Sequence, residues 1–469
     1  MLHSLGKSYI LIVTPMKASA LKYFIVSLLA SLVSIIIILM PFHALLTVYG
    51  SSLLGHYTLL RLWKEMLLFV CIVGCLYLLM ADTKVRSHTL TRRLIWVIGG
   101  YGLWLGVRVL LALLSHDVTH KAAAYGLLID LRFLAFFLVA WTVALRTVQL
   151  PAQWQRLLLW PAYGVVGFAL LQVLVLPPDF LRHFGYDAAT TISPLETINH
   201  NKQYVRVAST LRGANPLGAY LLLPISLLMV YVVTPAKRNR SHWLVLVAAL
   251  AALFFTFSRS AWLGAVLSIV VVLYVRFRQS LTTKLLPIAL VLAVLLVGSA
   301  ISLRHNPRFE NVFLHTQDHS TSAKSSNQGH VSALKDGVRD LWHQPFGRGP
   351  GTAGPASVYN NGHARLAENY FVQVGQEAGW LGLGLFIVIN LGVGYLLWLR
   401  RAEPLALSLF AGLIGLTFVN LLSHAWADDT LAYVWWGLAG IAMAQPALAA
   451  KALIPRPAKV LANKHGKKV

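Results

Sequence analysis

Residues His242 to Val275 read HWLVLVAALAALFFTFSRSAWLGAVLSIVVVLYV. Two apolar runs, 242–257 and 260–275, meet at Ser258-Arg259-Ser260, and Arg259 is the one lysine, arginine or carboxylate in the whole stretch. Runs of this kind suit membrane-crossing helices, and so short a junction makes them an antiparallel pair. The rest of the chain repeats the pattern. Of 469 residues, 57% are hydrophobic and only 12% charged, with a mean hydropathy of +0.66. Soluble chains keep about a quarter of their residues charged. The apolar runs lack the ten-residue alternation of outer-membrane strands. The sequence therefore predicts an all-α polytopic membrane protein.

Twelve spans are expected, near 23–46, 65–81, 94–114, 122–145, 156–176, 216–234, 242–257, 260–275, 284–303, 369–398, 404–422 and 430–449. More than half of the 40 Lys and Arg residues fall in one alternating set of segments, which the positive-inside rule assigns to the cytoplasm. Both termini then lie inside, and the long polar loop 304–367 lies outside. The expected organisation is one integral membrane domain, 1–450, with a short basic cytoplasmic tail, 451–469, able to touch anionic headgroups. The apolar piece Tyr9 to Val13 is broken by Pro15 and Lys17, so the first span is expected to act as its own insertion signal. Basic residues at membrane edges account for the formal charge of +24, and no nucleic-acid partner is expected. Cys71 and Cys75, four apart in one apolar run, read as small packing residues, because helix geometry disfavours a disulfide there.

Charge is expensive in such a chain, so its placement is informative. Within spans three and four, Arg108 and Asp130 read either as a clamp between adjacent helices or as an ion path, with Arg132 nearby. Arg259, in its short outer turn, reads as snorkelling to lipid phosphate or as a fixed anion ligand; a guanidinium matches phosphate bidentately. A second outer loop, 177–215, carries Arg206 and then Leu211-Arg212-Gly213-Ala214-Asn215-Pro216. The glycine and proline place Arg212 at a helix N-terminus, where an anion is favoured but a simple surface charge is also explained.

In the long loop, Val331, Leu334, Val338, Leu341 and Trp342 recur at helical spacing, so an amphipathic helix is expected from Asn327. Lys335 and Arg339 read as its solvated face. The glycine-rich Gly347-Arg348-Gly349-Pro350-Gly351 lacks the ending of a nucleotide-binding loop. His315 and His319 are four apart but lack further ligands at diagnostic spacing, and no metal or cofactor is expected. His363 lies five residues before Glu368, which opens the next apolar run. A carboxylate there suits proton abstraction from a sugar hydroxyl, and equally suits helix capping by charge.

Four pieces occur in order on one expected face: Arg212-Gly213-Ala214-Asn215-Pro216; Ser258-Arg259-Ser260-Ala261-Trp262; Trp342-His343-Gln344-Pro345-Phe346-Gly347-Arg348-Gly349; and Glu368-Asn369 followed nine residues later by Gly379. Together they resemble the O-antigen ligase and polymerase-related family of bacterial membrane glycosyltransferases, over about residues 205–395. The resemblance implies a metal-independent enzyme without a nucleotide-sugar donor. Its donor would be an undecaprenyl-pyrophosphate-linked glycan and its acceptor a lipid or glycan hydroxyl. It would work at the outer face of the bacterial cytoplasmic membrane, among membrane lipids. Arg212 and Arg259 would hold the pyrophosphate, with Arg206, Arg348 and Asn369 as further substrate contacts. Glu368, which stands where the ligases carry histidine, would be the base, with His363 as the other candidate. A secondary transporter or flippase would also use many spans and buried charges, but it would show repeated halves, and none is visible. A non-catalytic assembly partner leaves the arginine in the three-residue turn unexplained.

Overall fold

The computed structural model describes residues 18–90, 92–198, 201–280, 326–361 and 365–444, with Asn306, Glu310 and Val312. The expected span 284–303, the basic tail 451–469, His315, His319 and His363 lie outside the described residues. Apolar runs without polar neighbours close their hydrogen bonds internally, so the chain is mostly helical. The helices are α1 (Ala18–Leu39), α2 (His43–Leu54), α3 (Tyr57–Leu60), α4 (Trp63–Ala81), α5 (Thr83–Leu90), α6 (Arg93–Leu114), α7 (His120–Ala144) and α8 (Gln149–Leu174). Then come α9 (Ala214–Val232), α10 (Arg240–Phe255), α11 (Arg259–Ser280), α12 (Ser326–His343), α13 (Val358–Asn361), α14 (Tyr370–Leu399), α15 (Pro404–Asn420) and α16 (Asp429–Ala444).

Eight helices among the described residues are long and apolar enough to cross a membrane, which makes this a multi-pass membrane protein. Three more, α10, α15 and α16, coincide with expected spans but are only 16, 17 and 16 residues long. The first expected span is interrupted. Pro41 sits in a 3-10 turn, Met40–Phe42, because proline has no N–H to continue the ladder, and the chain restarts as α2 at His43. The all-helical expectation also missed a small antiparallel hairpin in the 177–215 loop, Glu196–Ile198 paired with Asn201–Arg206.

The core lies where α7, α9, α15 and α16 meet. Phe133, Phe136, Phe137, Trp426, Tyr433, Trp435 and Trp436 are all buried there, with ring centroids 5.0 to 5.3 Å apart in the closest tryptophan pairs. Helices α11 and α15 approach backbone to backbone. A methyl group on Gly264 would lie 2.9 Å from both the Gly415 carbonyl and a Val419 methyl, so two glycines set the crossing. Cys71 and Cys75 are buried and free, as packing residues should be.

The intramembrane charges are not paired as expected. Arg108 donates to the Gly347 carbonyl, whereas Asp130 accepts from the Tyr370 hydroxyl at 3.5 Å. The reason is the glycine-rich turn: it sits against α6 and offers Arg108 a carbonyl before the chain reaches Asp130. Arg132 turns the other way, to Asp429 and to Glu65 at 3.5 Å, and donates to the Ala427 carbonyl at 2.8 Å.

Candidate functional site

Three arginines, two from the 177–215 loop and one from the 258–260 turn, collect around the N-terminus of α9. Arg206 ends the hairpin. Its Nε donates to the Thr256 carbonyl at 2.9 Å, its Nη2 to Asn215 at 2.6 Å, and Glu196 lies 3.9 Å away. One side chain thereby ties the turn before Arg259 to the first turn of α9. Gly218 of α9 packs directly on Ser258 and Ala261, which brings the Arg259 turn to the same place. Burial lowers the Arg206 guanidinium from its usual range; Glu196 pulls it back up, and the neighbouring Arg259 charge lowers it again. Arg259 opens α11 and is half-buried.

Arg212 is the most exposed of the three. Its side chain is 57% accessible and its Nε stands 4.0 Å from Asp428. It lines two adjoining clefts. One is shared with Arg206, Glu196, Gln172 and Tyr186; the other with His43, Tyr57, Arg61, Asp428 and Asp429. The second cleft has a charged floor. Asp429 holds Arg132 through one oxygen and Lys64, at 2.9 Å, through the other, while Glu65 lies 3.1 Å from Lys64. His43, placed by the Pro41 break, stands 3.6 Å from Asp429 and accepts from Trp63 at 2.9 Å. Burial pushes the Asp428 carboxyl up; Arg212 opposes this and Asp429 reinforces it.

Glu368 and Asn369 precede α14. Asn369 caps α14: its Oδ1 accepts from Val372 N at 3.0 Å, and its Nδ2 donates to the Leu421 carbonyl at 3.0 Å. Tyr370 N donates to the Ser423 carbonyl at 3.2 Å. The turn 421–428 therefore touches Asn369 and Tyr370 at one end and Arg212 at the other. Ser423 and Asp428 are five positions apart, with a 3-10 turn between them, so the two ends are within about 15 Å. The arginine cluster and the Glu368 segment share one end of the bundle.

Arg348 is set apart. Its backbone N donates to the Gln376 carbonyl at 2.9 Å, and Gly349 N donates to the Glu377 carbonyl at 2.8 Å. That is seven residues along α14 from Asn369, roughly 10 Å. The glycine-rich turn packs where α14 breaks at Gly379, whose φ of 68° and ψ of −171° leave the helical region. The turn is thus a plug in a kink, with an exposed Arg348 side chain on its surface. Helix α12 runs from Ser326, close to its expected start, and seats Leu341 on Gly375 of α14 while Gln376 donates to its Asp340 at 2.8 Å. Lys335 and Arg339 are exposed, as read from spacing.

Backbone strain follows the same residues. Among the described residues, five non-glycine residues have positive φ, including Ser209 at 52°, Phe257 at 49° and Glu368 at 55°. They stand three residues before Arg212, two before Arg259, and at the candidate base itself. Left-handed backbone costs about 1–3 kcal/mol per residue and gathers where a site over-determines geometry. The floor residues His43, Arg61, Lys64, Glu65, Asp428 and Asp429 were missed from sequence. Their signal was present: Lys64-Glu65 and Asp428-Asp429 are adjacent charges at the edges of apolar runs in a chain that is 12% charged.

Comparison with known proteins meets this geometry. Residues 244–387 match the family model described as O-Antigen ligase. That interval contains Arg259, Arg348, Glu368 and Asn369 and stops short of Arg206 and Arg212. The chain is also similar to the O-antigen polymerase of Salmonella muenchen, with 25% identity over 230 residues, covering 48% of this chain and 55% of that protein. The similarity thus spans about half the length of this relative. Both findings support the resemblance to the O-antigen ligase and polymerase-related family.

Proposed function

We propose that this chain is a membrane glycosyltransferase of the O-antigen ligase or polymerase type. It takes a glycan from an undecaprenyl-pyrophosphate-linked donor and passes it to an acceptor hydroxyl at the outer face of the bacterial cytoplasmic membrane. The observation that carries the reading is the gathering of Arg206, Arg212 and Arg259, from two loops, beside the turn that also anchors Asn369. Cations gathered from two loops suit a dianionic leaving group better than a single lipid headgroup, which one snorkelling side chain can serve.

In this reading Glu368 takes the proton from the acceptor hydroxyl. The oxygen attacks the anomeric carbon of the donor, the bond from that carbon to the pyrophosphate oxygen breaks, and undecaprenyl pyrophosphate leaves with the electron pair. Charge grows on the leaving group in the transition state, so guanidinium groups held in place beforehand lower the barrier. His363 is the alternative proton acceptor. Asn369 acts through its cap, fixing the backbone that presents Glu368, and Arg348 meets substrate farther along α14. No metal enters these steps.

The test is Arg259→Ala, reconstituted with lipid-linked glycan. Transfer is abolished while the protein inserts and folds as before; full activity in that variant refutes the role. A deletion strain separates the two activities. Surface glycan reduced to a single capped unit marks a polymerase, and full-length polymer left on its lipid carrier marks a ligase.

A further inference from the structure

Three helices fix the level of the glycine-rich turn in the bilayer. A methyl group added to Gly126 of α7 would collide with Gly351, one on Gly349 with Ala112 of α6, and one on Gly379 of α14 with the Pro345 carbonyl. Gly126, Ala112 and Gly379 lie 20, 19 and 21 positions from basic residues at the opposite ends of their helices, Arg146, Arg93 and Arg400. At 1.5 Å per residue each separation is about 30 Å, the thickness of the hydrocarbon layer. The turn therefore sits at the membrane edge opposite those arginines. The side chains beside it do not suit water. Phe346, directly before the turn, is 67% exposed, and Trp342, in the last turn of α12, is 69% exposed. Trp342 stands on the exposed Trp380 of α14 with ring centroids 5.3 Å apart, and Trp380 N donates to the Pro345 carbonyl at 2.9 Å. The patch continues onto α14, where Leu381 is exposed on a membrane-spanning helix. It also continues up α12. Val331, Val338 and Trp342 share one stripe of that helix and are exposed, whereas Gly337 and Leu341, on the adjoining stripe, pack on Val372 and Gly375. The apolar arc of α12 is wider than the face α14 covers, and the exposed Lys335 and Arg339 border its open part.

We infer that Val338, Trp342, Phe346 and Trp380 form a lipid anchor, inserted among the phospholipids at that edge of the bilayer. In the orientation predicted by the loop charges this is the outer leaflet. The inference is independent of the glycan donor. Aromatic rings gather at the boundary between acyl chains and headgroups, and this cluster lies at that level by three separate measures. A helix with an apolar face and basic residues beside it lies in the same zone, its cations meeting lipid phosphates. Lys335 and Arg339 stand where that arrangement puts them. Phospholipid is the occupant because the patch is flush with the lipid-facing side of α14. A second protein seated on it would have to strip lipid from that helix as well. The end of the long polar loop thus returns to the bilayer before α14 begins, and the anchor holds the glycine-rich turn in the Gly379 kink from the lipid side.

The test reads depth directly. Single cysteines are introduced as Val338→Cys, Phe346→Cys and Asp336→Cys, each with Cys71→Ala and Cys75→Ala, and carry an environment-sensitive nitrobenzoxadiazole dye. Asp336 is exposed on the opposite side of α12 from Val338, and all three substituted side chains are exposed, so the fold is retained. The full chain is placed in nanodiscs of phosphatidylcholine and phosphatidylglycerol, with or without phosphatidylcholine bearing a nitroxide on the fifth acyl carbon. The dyes at Val338 and Phe346 lose emission to the lipid nitroxide and are shielded from iodide. The dye at Asp336 shows the reverse. If either apolar position is quenched by the nitroxide no more than Asp336, the anchor does not exist. Dyes at Val338 and Phe346 that escape both quenchers place protein over the patch, which overturns the inference as well.

Discussion

Replacing Asp429 by asparagine tests whether the charged floor is a closed electrostatic unit. Lys64 and Arg132 carry two positive charges, Glu65 and Asp429 two negative ones, and the side chains of the two cations are 2% and 3% exposed. Asp429 serves both cations, through different oxygens, whereas Glu65 reaches Arg132 only at 3.5 Å. Asp429→Asn leaves a buried net charge of one. Removing one partner of a buried pair costs about 3–5 kcal/mol. By the scaling of globular proteins, a chain of 469 residues unfolds with an entropy of roughly 1 kcal/mol/K, so the midpoint falls by about 3–5 °C. The assay is built into the protein. Cys71 and Cys75 are free and buried on α4, the helix that begins with the Lys64-Glu65 pair, and a thiol-reactive dye reports their exposure on heating in detergent. Adding Lys64→Met to Asp429→Asn restores neutrality and recovers at least half of the lost stability. A single variant within about 1 °C of the native protein would refute the reasoning, as would a double variant that falls as far as the two singles together.

Gly264→Val forces a branched side chain against the Gly415 carbonyl and lowers the midpoint by about 1–3 °C through overpacking, whereas Gly99→Val, with nothing within 4 Å of the added carbon, leaves it nearly unchanged. The same thermal scan measures both, and equal shifts contradict the glycine crossing. Asp428 provides a pH signature. Its folded carboxyl titrates above the ordinary carboxylate range, so the folded state binds more protons than the unfolded one between the two values, and stability falls as pH rises through that window. Asp428→Asn removes this slope, so the native midpoint drops relative to the variant's as pH rises above about 4; parallel curves show that Asp428 is not the group responsible.

The sequence made the helices legible because bilayer-crossing segments must satisfy their backbones internally. The boundaries of α4, α6 and α7 fall within two residues of those expected. The Pro41 break was harder to see, because apolar residues continue on both sides of it and hydropathy does not register a kink. The hairpin at Glu196–Arg206 escaped because its strands are three and six residues long and half-polar. At the site, Arg212, Arg259 and Glu368 stood out by their rarity and by their position at span ends. What sequence spacing could not supply was pairing. Arg108 and Asp130 are neighbours by helix order, yet each finds a partner contributed by residues more than two hundred positions away, Gly347 and Tyr370. In a bundle whose charges are few, the partner is chosen by whichever loop folds back, and that is tertiary information.

Arg206 and Arg212 share a cleft but differ in kind, and the difference constrains how such a site works. Arg206 is 17% exposed and donates to a backbone carbonyl and a side-chain amide that belong to two elements, so moving it means parting α9 from the Arg259 turn. Arg212 is 57% exposed and its carboxylate partner is 4.0 Å away, beyond hydrogen-bond distance. A pair so placed gains little from its charges and gives up little when a stronger anion arrives. Arg206 therefore fixes the frame that aims Arg259, while Arg212 is the guanidinium able to exchange one anion for another. Asp428 keeps that exchange local, because its buried carboxyl holds the positive charge near the cleft without enclosing it. Under the proposed function, an arriving pyrophosphate would compete with this weak partner, and a departing one would leave Arg212 a partner to return to.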